Sequence, residues 1–128
     1  MKHAWLTVLA VSAALLAIPG TADAHHGWAS FDKNAVVTLK GTVTDFHLVS
    51  PHSVVEFDVT DDKGQVQKWQ AELPSRTALV SRGWSETSLK PGDAFTITGY
   101  RAKNGATSVW ALKMFLANGQ ELKLEHSV

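Results

Sequence analysis

The chain contains no cysteine. That excludes a disulfide framework, a thiolate nucleophile and any cysteine-built zinc or iron–sulfur site. It also lacks net charge, since 12 Lys and Arg balance 12 Asp and Glu, so no overall field draws it to nucleic acid or to an anionic membrane. There is no glycine-rich phosphate loop, no G-x-S-x-G and no H-E-x-x-H. Repeats, low-complexity tracts and charge runs are missing too, and only one long apolar run occurs. Metal chemistry in this chain must therefore rest on nitrogen and oxygen donors, chiefly its 6 histidines.

The apolar run lies at the start. Lys2 supplies a positive end, Ala4 to Ile18 an apolar stretch, and Pro19-Gly20-Thr21 leads to the A-x-A-like Ala22-Asp23-Ala24. The run is short for a bilayer span of about 20 residues. The pattern predicts a secretory signal peptide over 1–24, cleaved between Ala24 and His25, and a periplasmic or secreted product with no integral membrane segment after cleavage. Taking 24 residues from 128 leaves 104, enough for one core that buries roughly 60 to 65% of the unfolded chain's surface.

Residues 25–34 show no period and read as an N-terminal histidine arm, with Trp28 and Phe31 as its anchors. From Ala35 the pattern alternates, with Val37, Leu39, Gly41 and Val43 on one face of a long first strand. It runs towards a turn at Ser50-Pro51-His52, where Pro51 cannot donate to a ladder. Strands are expected over Val54 to Thr60 and Val66 to Leu73, joined by Asp61-Asp62-Lys63-Gly64. The period then switches: Ser75 as N-cap, Arg76 to Arg82 and the Gly83 stop read as one short helix, with Trp84 packing back. Further strands follow around Phe95 to Gly99, over Ser108 to Leu116 and over Glu121 to Leu124, separated by Asn104-Gly105 and Asn118-Gly119 turns.

This order predicts a mainly β protein: residues 35–128 form a small OB-fold-like Greek-key barrel with one short helix between strands three and four. An immunoglobulin-like sandwich would need more strands and no helix at that place.

Cleavage before His25 gives that residue a free amine. The amine's proton is displaced near neutral pH at a cost of about a kcal/mol, and amine and imidazole Nδ1 can then close a six-membered chelate ring. A third nitrogen from a distant histidine completes a T-shaped histidine brace, which suits the tetragonal preference of Cu(II). His26 offers a competing mode through the amine, its own backbone nitrogen and its imidazole. Both modes need the same free terminus. The metal read from these donors is copper, and nickel or zinc would accept them too. For the third ligand His52 leads, because Pro51 stiffens its turn. His47 follows on the polar face of the first strand, and His126 in the C-terminal tail ranks last. Asp32 and Glu72 are candidates to support the ligands, each otherwise an ordinary solvated carboxylate.

These residues resemble a family of small exported bacterial proteins catalogued only as a domain of unknown function, whose mature chains open with A-H-H-S-F and a nearby F-D. Here the motif reads Ala24-His25-His26-Gly27-Trp28 with Phe31-Asp32. Lys40-Gly41-Thr42-Val43, Ser50-Pro51-His52, Trp69-Gln70-Ala71-Glu72-Leu73, Arg82-Gly83-Trp84 and Leu89-Lys90-Pro91-Gly92-Asp93 match further family motifs, and Gly99 to Gly105 fits its closing segment. Ser50 replaces the usual Asn and Trp28 the usual Phe, which removes no candidate ligand. The resemblance favours His52 over His47, where relatives carry other residues, and implies no activity. A more distant likeness to periplasmic bacterial OB-fold proteins implies the same fold. Two functions remain open: an exported copper-binding or copper-handling protein, not read as an enzyme, or a metal-free module that binds a glycan, peptide or envelope partner on the barrel face.

Overall fold

The computed structural model describes residues 27–124. The expected signal peptide over 1–24, His25, His26 and His126 lie outside the described residues. Six strands and one short helix make up the described chain: β1 (Phe31–His47), β2 (Ser53–Thr60), β3 (Val66–Leu73), α1 (Arg76–Ser81), β4 (Ala94–Ala102), β5 (Ser108–Leu116) and β6 (Glu121–Leu122). A 3-10 turn, Trp28–Ser30, leads into β1. Among the described residues no helix is long and apolar enough to cross a membrane.

The strands form a mainly antiparallel sheet in the order β3-β2-β1-β4-β5-β6. β1 is long enough to serve two neighbours: its first part pairs with β4 from Phe31 to Thr42, and its last part with β2 from Thr42 to His47. Gly41 marks the changeover. A Cβ there would lie 2.5 Å from the Phe57 ring, which itself packs edge-on against Phe95 with centroids 5.0 Å apart. β3 also pairs with β5, in parallel, over Gln70 to Glu72 and Ser108 to Trp110. The two ends of the five-strand path thus meet along a short seam, not a full barrel wall.

Alternation decides what is inside. Val43, Val55, Phe57, Trp69, Ala71, Leu73, Ile97, Val109 and Met114 are buried and form one core, each large aliphatic or aromatic side chain contributing roughly 1.5–3 kcal/mol by leaving water. α1 sits where the period changed: Ser75 Oγ accepts a hydrogen bond from the Ala78 amide at 3.2 Å, and Gly83 takes the left-handed conformation, φ +91, that ends the helix. Trp84 packs back as expected. Its ring lies 5.8 Å from that of Phe46, and its Nε1 donates to the Lys123 carbonyl at 2.7 Å.

β1 starts four residues before the expected boundary at Ala35, because its register with β4 breaks between Asp32 and Val36. That break hides the alternation. Asp32 Oδ1 caps the break by accepting from the Asn34 amide at 2.9 Å, so Phe31 and Asp32 belong to the sheet.

Candidate metal site at the root of the arm

The turn between β1 and β2 is held by a buried hydroxyl. Ser53, which has no exposed surface, donates from Oγ to the Val49 carbonyl at 3.0 Å and accepts from the Val49 amide at 3.2 Å. The Ser53 amide donates to the Pro74 carbonyl at 3.1 Å, and the Arg76 amide to the Val49 carbonyl at 2.9 Å. The Ser50–Pro51 peptide within this turn is cis. His52 is therefore carried by a backbone tied to both β3's exit and the start of α1. Its half-buried ring stands edge-on to Trp110, centroids 5.4 Å apart and planes at 68°.

Trp110 is the shared neighbour of the turn and the arm. Val109 and Ala111 on either side of it point into the core, so Trp110 projects from the outer face of β5. There its ring also meets Phe31, at 5.8 Å and 55°. Phe31 is 4% exposed and joins the 3-10 turn directly to β1, while the Ser30 carbonyl accepts from the Lys103 amide at 3.0 Å. Two kinds of support fix Trp110 itself. It pairs with Tyr100 on β4 and with Glu72 on β3, and its carbonyl occupies the space a Cβ of Gly99 would need. Only glycine fits at 99 without a shift of the β5 backbone.

Glu72 shares this face, since the inward positions of β3 are Trp69, Ala71 and Leu73. It pairs with Val54 on β2, two residues beyond His52 in the turn that enters that strand. The sequence gives it the prior of a solvated carboxylate, but at 8% exposed it is buried. A buried carboxylate on this face can support a cation-binding group. Asp32, by contrast, is occupied with its own turn and lines a shallow surface recess with Trp28 and Lys33. Trp28 is 49% exposed, with Lys33 Nζ 3.2 Å above its ring.

His47 has a different setting. Its Nε2 lies 3.1 Å from Asp45 Oδ2 and 3.6 Å from Glu56 Oε2, all three side chains about half exposed. Among the described residues this is the one group of three or more histidine and carboxylate side chains with ligand atoms close together. It is an open ion-pair cluster on the end of β1, with no enclosing wall. Soft donors are missing from both places: there is no thiol, and Met114, the one methionine among the described residues, is fully buried.

Sequence reasoning chose His52 but did not find Trp110 as its neighbour. The contact spans 58 positions and depends on the β3–β5 seam, which no local period reports. These features define a mainly β protein with a half-buried imidazole set against an indole at the turn between β1 and β2. A family model matches residues 8–111, and the chain belongs to that family, described as a family of unknown function (DUF6152). No curated protein matches the chain.

Proposed function

We propose that the protein is exported, loses residues 1–24, and binds copper through His25, by its new amine and Nδ1, together with His52, with His26 as an additional or competing ligand. Its activity is read as copper binding or handling. The single observation that carries this reading is that His52 and the first residue of the arm's sheet, Phe31, share one indole. The arm's root thus lies beside the histidine named as the third ligand. His25 is six residues before Phe31 in the sequence, a separation that spans at most about 20 Å of extended chain. Buried Glu72 supplies a carboxylate in the same region. The scaffold fits an OB-fold-like description, supported by the helix between β3 and β4 and by the β3–β5 seam.

The test begins with the intact mass of the secreted protein, which must correspond to a chain starting at His25. Titration with Cu(II), followed by electron paramagnetic resonance, is then run on that chain and on His25→Ala and His52→Ala. Both substitutions are expected to weaken binding and to change the copper spectrum. A different terminus, or unchanged affinity in both variants, sinks the reading.

The second reading, a metal-free binding module, draws on a surface groove of about 460 Å³ lined by Glu56, Lys68, Gln70 and Thr107 above Trp69. Trp69 is 6% exposed with the Arg101 guanidinium 5.1 Å from its ring. It offers a sugar or peptide little aromatic surface, which leaves copper ahead.

A further inference from the structure

We propose that Trp110 is a positioning residue for the metal site: one indole sets the orientation of the His52 ring and packs against Phe31, the first residue of β1, so that the distant ligand is oriented before a metal arrives. This rests on the copper reading above. The backbone of the His52 turn is fixed by Ser53, but those bonds leave the imidazole free to rotate about its own side-chain torsions. The His52 ring stands edge-on to Trp110, centroids 5.4 Å apart.

The indole can do this because its backbone is fixed and its ring packs against both Phe31 and His52. Pairing to Tyr100 and Glu72 holds its backbone from both sides, and the missing Cβ of Gly99 lets β4 close on its carbonyl. Phe31, itself 4% exposed, packs against the indole at 5.8 Å. A change in the Trp110 ring is therefore transmitted to the distant ligand and to Phe31 at once. Aromatic pairs of this geometry favour a fixed mutual orientation over simple contact, and groups that orient a ligand typically alter metal affinity by about 10- to 100-fold.

The experiment uses the secreted chain with its terminus verified by mass. Trp110→Leu, which keeps an apolar side chain but removes the ring, is compared with Trp110→Phe, which keeps a ring, and with His52→Ala. Expected results are a Cu(II) affinity about 10- to 100-fold weaker in the Leu variant with altered copper hyperfine coupling, and substantial recovery of both in the Phe variant. A folded Leu variant with wild-type affinity and spectrum overturns the proposal. A second measurement needs no variant. In the metal-free wild type, the imidazole carbon-bound protons of His52 must show an indole ring-current shift in NMR, and resonances at random-coil positions overturn the proposal even if Trp110→Leu does not fold. The two levels fail separately: loss of binding in His52→Ala with none in Trp110→Leu rejects the positioning role alone, while no loss in His52→Ala rejects the copper reading beneath it.

Discussion

The β1–β2 hairpin carries a histidine at each end of its turn, and the two illustrate different ways of presenting an imidazole. His47 has two carboxylates within 3.6 Å yet stands about half exposed, where ion pairs are typically worth 0–1 kcal/mol and rearrange with solvent. His52 has no such cluster among the described residues, but its backbone is bound by a buried serine and its ring is set against an indole. Proximity of ligand atoms costs a surface little. Holding a ring in one orientation requires a packed neighbourhood, and the chain invests that neighbourhood in His52.

The comparison can be broken from either side. The largest effect is expected for His52→Ala, which should weaken Cu(II) binding by more than the ~100-fold that ligand-supporting groups command, measured by competition against a chelator. Gly99→Ala comes next. The new methyl must displace the Trp110 carbonyl, a backbone atom that cannot yield as a flexible side chain would, and the change should destabilise the fold by about 1–3 kcal/mol, read from denaturant unfolding. Ser53→Ala leaves the Val49 amide and carbonyl without their hydroxyl partner in a buried site. It should cost about 1–3 kcal/mol and weaken copper binding in parallel, because the turn that carries His52 loosens. His47→Ala should be the smallest, within about 0.5 kcal/mol in stability and with no measurable loss of tight Cu(II) affinity. A His47→Ala effect as large as that of His52→Ala would reverse the comparison.

A further expectation concerns pH. Both imidazole and amine must lose a proton to bind metal, so copper affinity should fall as the solution is acidified. Titrations at successive pH values check this, and a flat profile would point to carboxylate ligands instead.

Much of the scaffold is legible in the sequence because it is locally encoded. The bounds of β3 and β5 match their alternating runs, and Ser75 and Gly83 bracket α1 by capping chemistry that needs no tertiary contact. The start of β1 is not legible, since the register break after Asp32 interrupts the period while the strand continues. Nor is the burial of Glu72. On β3 it occupies an outward position, and only the parallel pairing with β5 turns that face into a sheltered one. The candidate site divides in the same way: His52 can be chosen from a proline-stiffened turn, whereas Trp110 enters through a contact between distant segments.

The most direct test of the central claim changes the terminal amine and little else. The secreted chain beginning at His25 is compared with the same chain whose terminal amine has been acetylated, both carrying every residue from His25 to Val128. Cu(II) affinity should be high in the first and lost in the second, where the nitrogen of His25 is an amide. Equal affinity in the two chains would contradict the account, because a site that tolerates a blocked His25 is not built on its amine.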